Sequence, residues 1–159
     1  MIEVLSRVVA APPGKPVRAG AGQGQQRARR LALRPQTWDR EETVIAVDLS
    51  HGMLALSAAG HRLQADAARL PLASRSADAV IIGDGPLFAA EVARVMTGQA
   101  VLVWSNALGT GAPFYLPAAT VTEAMTSATG RDWDATESQA HWGTWAVLRP
   151  ARSPHPCGR

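Results

Sequence analysis

A glycine-rich segment followed by an apolar strand that ends in a carboxylate constrains this chain most strongly. The segment holds Gly20, Gly22 and Gly24, and residues 44–48 read Val-Ile-Ala-Val-Asp. Glycines let a backbone approach a ligand closely, and an acid at the next strand end accepts hydrogen bonds from ribose hydroxyls. Gln25 stands where a dinucleotide fingerprint has its third glycine. The order G-x-G-x-G therefore predicts a nucleoside site that differs from a dinucleotide-binding site.

Strands alternate with helices along the chain, which predicts a doubly wound, mostly parallel sheet of the α/β class. The weakest strand is the one at residues 16–19 before the glycines, because Pro16 and Arg18 suit a buried sheet poorly. The other predicted strands are residues 43–47, 62–65, 77–82, 100–104, 133–135 and 143–149, and the predicted helices are residues 2–11, 25–33, 50–58, 88–96 and 117–127.

Three acids follow predicted strands, namely Asp48, Asp66 and Asp84. Ligands of doubly wound sheets bind at the carboxyl ends of the strands. We therefore expect these acids and the glycine turn to meet at one edge of the sheet, although they are far apart in sequence.

The length of 159 residues suits one domain, which we place at residues 1–149, with a disordered Pro/Arg-rich tail at residues 150–159. No apolar run approaches the roughly 20 residues that span a membrane. The single cysteine, Cys157, excludes an internal disulfide and fits a cytoplasmic protein. The four histidines and this cysteine show no metal-ligand spacing, so no metal site is predicted.

Several stretches together resemble the class I S-adenosylmethionine-dependent methyltransferases. The glycine segment resembles the first motif of that family, and Asp48-Leu49-Ser50-His51-Gly52-Met53 resembles the second. Residues 64–72 resemble the third motif, residues 76–82 the fourth strand, and residues 143–149 the closing antiparallel strand. The resemblance implies a Rossmann-like fold with a seven-stranded sheet, an antiparallel last strand and helices on both faces.

The resemblance also implies S-adenosylmethionine as cofactor and a role for each matching residue. Gly20, Gly22 and Gly24 would line its methionine and ribose part, and Asp48 would accept from the ribose hydroxyls. Leu49 and Met53 would contact the adenine, Asp66 its amino group with the Ala67 amide nearby, and Gly83 and Asp84 would lie where methyl group and substrate meet. No catalytic side chain is identified, and residues 106–116, with Phe114 and Tyr115, are the predicted wall for a small-molecule acceptor, with a homodimer partner as a further possibility.

Arg18 departs from the family pattern, because an acid usually stands two positions before the first glycine. A cation there repels the ammonium end of the cofactor. A methyltransferase-like binding or scaffold protein without catalysis therefore remains an alternative. An RNA methyltransferase is favoured only by the arginine cluster at Arg27, Arg29, Arg30 and Arg34, and a nucleotide-binding oxidoreductase is disfavoured by Gln25.

Overall fold

The computed structural model describes residues 2–7 and 42–152 of the chain. In chain order the elements are β1 (Ile2–Arg7), β2 (Glu42–Asp48), α1 (His51–Leu56), β3 (His61–Gln64), β4 (Ala77–Gly83), α2 (Ala89–Val95), β5 (Met96–Asn106), a short 3-10 turn (Gly109–Gly111), α3 (Ala118–Thr129), β6 (Trp133–Ala140) and β7 (Gly143–Pro150). In the described ranges no helix is long and apolar enough to cross a membrane.

The described strands form one sheet in the order β3-β2-β1-β4-β5-β7-β6. Strands β2 and β3 pair in parallel, as do β4 and β5, and β7 is antiparallel to both of its neighbours. The α/β class, the parallel strands and the reversed last strand agree with the prediction. Because β1 pairs antiparallel with both β2 and β4, the sheet has a second reversed strand at its centre, which the sequence did not predict.

The helix predicted at residues 2–11 is wrong where the structure describes it, since Ile2–Arg7 form strand β1. A short apolar run fits either a helix or a buried strand, and periodicity alone cannot decide between them. Here the run lies between two strands, and Val4 pairs with Ile45 on one side and with Val80 on the other. Backbone pairing on both sides therefore outweighs the helical spacing.

One face of the sheet carries the main core. Val80, Ile82 and Leu102 are fully buried there together with Val92 of α2 and Val121 of α3. These side chains form a continuous apolar layer that excludes water. Burial of apolar surface is the dominant favourable term in folding. Helices α2 and α3 therefore stabilise the half of the sheet that contains β4, β5 and β7.

Helix α1 lies on the opposite face, beside β2 and β3. Arg62 of β3 donates from Nη2 to the backbone oxygen of Ser57, which follows α1, at 2.7 Å. Its neighbour Leu63 points to the other face and packs against the main core. The described helices thus cover both faces of the sheet, as predicted.

The element ends agree with the local sequence signals. Ser50 caps α1, and α3 ends at Gly130, whose φ of 67° is the left-handed conformation that glycine adopts without strain. The predicted tail begins too early, because Pro150 pairs with Trp133 in the sheet and the Ala151 N–H donates to the Asp132 oxygen. The tail prediction for residues 153–159 lies outside the described residues.

Candidate active site

The carboxyl ends of β2, β3, β4 and β5 lie at the same edge of the sheet, because these four strands run in the same direction. Asp48 ends β2, Asp66 follows β3, Gly83 ends β4 and Asn106 ends β5. Adjacent strands are about 4.8 Å apart, so the ends of β2 and β4, with β1 between them, are about 10 Å apart. The structure therefore brings these predicted site residues to one edge of the sheet.

Asp48 and Ser50 organise the turn between β2 and α1. The Asp48 Oδ1 atom accepts from the Ser50 N–H at 2.8 Å, and the Ser50 Oγ atom accepts from the Met53 N–H at 3.3 Å. The second bond satisfies one of the backbone donors that a helix leaves unpaired in its first turn. The Asp48 carboxylate is half-buried at the edge where a ribose would need its acceptor.

Two apolar residues that closely follow Asp48 in sequence are open to solvent. Leu49 is 66% exposed and Met53 is 45% exposed. The Leu49 backbone is held by Gln64, whose Nε2 atom donates to the Leu49 oxygen at 3.0 Å. Exposed apolar side chains beside a fixed carboxylate suit a ligand with a flat apolar ring and a hydroxylated sugar.

Asp66 begins a turn after β3. Its Oδ1 atom accepts from the Ala68 N–H at 2.9 Å, and its backbone oxygen accepts from the Arg69 N–H at 3.0 Å. Ala67 packs against the core. This arrangement is an Asx turn, so the carboxylate has a structural role in addition to the predicted contact with adenine.

The turn continues into a segment that α2 holds in place. Glu91 of α2 accepts from the Leu70 N–H at 2.6 Å, and Arg94 donates to the oxygens of Leu70 at 3.0 Å and Leu72 at 2.9 Å. Arg94 also pairs with Glu91 at 2.7 Å. The hydrogen bond from Arg94 lowers the pKa of Glu91, the Leu70 N–H lowers it further, and burial opposes both.

Gly83 and Asp84 connect the ends of β4 and β5. The Asp84 N–H donates to the Ser105 oxygen at 3.0 Å, and the Asp84 Oδ1 atom accepts from the Ala107 N–H at 2.9 Å. Asp84 has a φ of 48°, a left-handed conformation that Asp adopts more readily than most residues. The carboxylate therefore joins two strand ends and has a structural role.

The predicted glycine loop, with Gly20, Gly22 and Gly24, lies outside the described residues, and so does Arg18. The structure does show which end of β1 lies at the site. Ile2 pairs with Val47 and Ile82, so the amino end of β1 lies at the carboxyl edge of β2 and β4. Arg7 lies at the opposite edge and precedes Gly20 by thirteen positions.

A small cavity lies beyond the end of β5. Its volume is about 30 Å³. We call it the β5–β7 cavity and define it by six of its lining residues, which are Trp104, Asn106, Tyr115, Leu116, Glu137 and Thr144. Tyr115 belongs to the predicted acceptor wall, whereas Phe114 is 48% exposed. The sequence did not point to Glu137 or Thr144, since no local signal shows that β6 and β7 reach this place.

Two histidines near the site lie at the surface. His51 is exposed and lines an open depression of about 260 Å³ together with Leu54 and Arg62. His141 is exposed at the tip of the β6–β7 hairpin, with a φ of 52°. Among the described residues, neither histidine is held against another ionisable side chain by a hydrogen bond that would mark an acid or base.

A comparison with family models identifies the family to which the chain belongs. The model of a family described as Methyltransferase domain matches residues 17–103, more than half of the 159 residues. The chain belongs to this methyltransferase family. The match confirms the resemblance predicted from the sequence, and with it S-adenosylmethionine as the cofactor that the resemblance implies. Strand β1 lies outside the matched range.

A solved structure supports the fold. The crystal structure of a SAM dependent methyltransferase from Aquifex aeolicus is 15% identical to this chain and has a TM-score of 0.50. The match covers 67% of this chain and 67% of the Aquifex aeolicus chain. At this identity the likeness shows the fold alone. No curated protein sequence matches the chain.

The described residues fit the adenosine part of the cofactor. A half-buried carboxylate at the end of β2 stands beside two apolar side chains, Leu49 and Met53, that have solvent on their outer side. Apolar side chains bury a flat ring favourably, and the thioether of Met53 adapts to an aromatic partner. The donor set and the apolar surface therefore agree with a bound adenosine at the β2 end of the edge.

Proposed function

We propose that this methyltransferase-family protein transfers the methyl group of S-adenosylmethionine to a small-molecule acceptor. The observation that carries the proposal is the arrangement at the end of β2. Asp48 has its Oδ1 atom fixed by the Ser50 N–H, next to the exposed Leu49 and Met53. Family membership supports methyl transfer in general, and the small acceptor is our proposal, which the β5–β7 cavity of about 30 Å³ supports.

Each residue at the edge receives a role in this proposal. Asp48 accepts hydrogen bonds from the ribose hydroxyls. Leu49 and Met53 contact one side of the adenine ring, and the other side of the ring faces solvent. Asp66 accepts from the adenine amino group through a carboxylate whose Oδ1 atom is already anchored by the Ala68 N–H, with the Ala67 amide nearby. Gly83 and Asp84 border the place of methyl transfer, and Gly20, Gly22 and Gly24 contact the methionine part. The frame is the doubly wound, seven-stranded domain predicted from the sequence.

The chemistry asks little of the protein's side chains. The cofactor supplies a methyl group that is already electrophilic, so the protein holds the nucleophile in line with it and keeps water away. Asp84 shapes the border of this place through its bonds to the Ala107 N–H and the Ser105 oxygen. No described side chain is required as a covalent nucleophile.

The test is calorimetric titration of the full chain with S-adenosylmethionine and S-adenosylhomocysteine, with NAD as the control ligand. The variant Asp48→Asn keeps the Oδ1 acceptor for Ser50 and removes the charge that the ribose hydroxyls contact. A hydrogen bond to a charged group contributes about 1.5 to 3 kcal/mol, so affinity should fall about tenfold or more.

Asp134→Asn is the matched control for this variant. Asp134 is exposed near the amino end of β6, at the opposite edge of the sheet. It should leave affinity unchanged. Equal affinities for Asp48→Asn and the parent chain would contradict the role of Asp48. Binding of NAD in place of both sulfur ligands would contradict the proposed function itself.

A second candidate function is a methyltransferase-like protein that binds a partner without catalysing methyl transfer. Two observations favour it, namely Arg18 in the sequence and the reversed direction of β1 at the centre of the edge. If this candidate is correct, the folded protein gives no calorimetric binding signal with S-adenosylmethionine or S-adenosylhomocysteine. Arg18→Asp should then restore binding if charge repulsion is the cause. The RNA acceptor, the homodimer and the cytoplasmic location stay predictions.

A further inference from the structure

The side chains that line the β5–β7 cavity come from strands β5, β6 and β7 and from the segment just before α3. Asn106 pairs with Thr144, Trp104 pairs with Ala146, and Ala146 also pairs with Glu137. Paired residues of adjacent strands project to the same face. Trp104, Asn106, Thr144 and Glu137 therefore face the same side, where Tyr115 and Leu116, just before α3, form the opposing wall.

Two residues that line this cavity each carry a buried polar atom without a partner among the described residues. Trp104 and Asn106 are each 2% exposed, and neither Trp104 Nε1 nor Asn106 Oδ1 has a hydrogen-bond partner among the described residues. Most buried polar groups in folded proteins are hydrogen-bonded, because an unpaired one keeps its full desolvation cost. Trp133 follows the rule, since its Nε1 atom donates to Thr129 Oγ1 at 2.9 Å. The pair at Trp104 and Asn106 therefore marks a place that a ligand group can satisfy.

The two unpaired atoms define the chemistry of that group. An indole N–H only donates, and an amide oxygen only accepts. A group that satisfies both atoms must accept one hydrogen bond and donate another. An ammonium group has no acceptor, and a carboxylate has no donor and would lie near Glu137. A neutral hydroxyl or primary amide provides both.

The volume limits how much of a ligand enters. A buried water needs about 10 to 15 Å³ of such space, so a cavity of about 30 Å³ holds a group of a few heavy atoms. The rest of the molecule would extend toward the turn at Asp84, since Asn106 precedes Ala107, whose N–H donates to Asp84 Oδ1. This is the border where methyl transfer is proposed.

We propose that the β5–β7 cavity binds the neutral polar end of the methyl acceptor, a hydroxyl or a primary amide, between Trp104 Nε1 and Asn106 Oδ1. The assignment of this ligand as the methyl acceptor rests on the proposed function, whereas the preference of the cavity for a neutral donor–acceptor group does not. The acceptor is thus a small molecule held by one neutral end and methylated some atoms away from it.

The test follows the indole N–H signals of the full-length protein by ¹H–¹⁵N NMR. The signal of Trp104 is identified by its loss in Trp104→Phe, which keeps an aromatic ring. The probes are acetamide and ethanol at millimolar concentrations, with acetate and methylammonium as charged probes of similar size. We expect a saturable shift of the Trp104 signal with acetamide or ethanol and no saturable shift with either charged probe. Trp133 serves as an internal control, because its N–H already has a partner.

Asn106→Leu removes the acceptor and keeps a similar volume, so it should weaken binding of the responding neutral probe about tenfold. Gln99→Leu is the matched control, since Gln99 is exposed near the amino end of β5, at the opposite edge of the sheet, and should leave probe binding unchanged. If the amide spectrum of Asn106→Leu is that of an unfolded chain, Trp104→Phe replaces it. Probe binding is then followed at the backbone amides of Tyr115 and Leu116, and the same weakening is expected.

Three results would overturn the proposal. The first is that no neutral probe produces a saturable shift. The second is that charged probes act equally well, and the third is that binding persists unweakened in the acceptor or donor variant. Each of these titrations is done without cofactor. Calorimetry with S-adenosylmethionine therefore tests the proposed function independently of these titrations. A failure of the cavity proposal is thus distinguishable from a failure of the proposed function.

Discussion

The two parts of the sheet that flank β1 are built differently. On one side, β4, β5 and β7 bury Ile82, Leu102 and Leu148 completely beneath α2 and α3. On the other side, the described part of the chain places the six-residue helix α1 on β2 and β3, and Leu56 of that helix is 81% exposed. The first part is stabilised by its own packing, whereas the second part leaves apolar surface that a ligand can cover.

The acids at the two strand ends show the same difference. The Asp48 Oδ1 atom accepts from the Ser50 N–H two residues later, so this contact lies within one turn. Asp84 bonds to the Ala107 N–H, 23 positions along the chain, and connects two strands. A sequence signature of an acid after a strand therefore describes both residues, and only the tertiary structure shows that Asp84 joins two strands.

The largest effect is expected from a change that separates the two parts. Strand β1 joins β2 to β4 in the described sheet, and Val4 lies in the middle of both pairings. Proline removes the N–H donor and does not fit a central strand, so Val4→Pro should lower the free energy of unfolding by at least about 3 kcal/mol. Urea denaturation measures this change. Val4→Ala keeps the N–H and should cost less, and equal stabilities of Val4→Pro and Val4→Ala would show that β1 does not hold the sheet together.

An intermediate effect is expected at Asp84. Asp84→Ala loses the bond to the Ala107 N–H and places alanine in a left-handed conformation, so we expect a loss of about 2 kcal/mol. Asp84→Gly removes the same bond but relieves the backbone, and should recover about half of that loss. The comparison by urea denaturation separates the two causes. Equal losses for alanine and glycine would mean that the φ of 48° carries no cost.

The smallest effect concerns the bonds between Glu91 and the segment after β3. Glu91 is 15% exposed and accepts from the Leu70 N–H, so Glu91→Gln should cost about 1 kcal/mol at neutral pH. Because the folded-state pKa of Glu91 is lowered, its contribution is present above the unfolded-state pKa and is lost as the pH falls through the folded-state pKa. The difference between parent and variant should therefore vanish in acid.

Thermal unfolding across the acidic range measures this pH dependence. Glu123→Gln on the exposed surface of α3 is the control and should leave stability unchanged at every pH. A difference between the parent and Glu91→Gln that stays constant from neutral to acidic pH would contradict the role of the Glu91 carboxylate.

Much of the fold could be predicted from local patterns. The strands at β2 and β4 are continuous apolar runs, which identify buried strands without help from the rest of the chain. Ser50 caps α1 and Gly130 ends α3 through bonds and dihedral angles within a few residues. The direction of β1 could not be predicted, because pairing with Ile45 and Val80 involves residues that are distant in sequence.

The candidate site divides in the same way. The sequence by itself determined Asp48, Leu49 and Met53 as neighbours, because a strand end, a cap and the first turn of a helix lie within six positions. Only the tertiary structure decided that Asn106 meets Thr144 and that Trp104 shares a face with Glu137. Contacts within one turn follow from backbone geometry, whereas contacts across antiparallel strands depend on register, which the whole sheet sets.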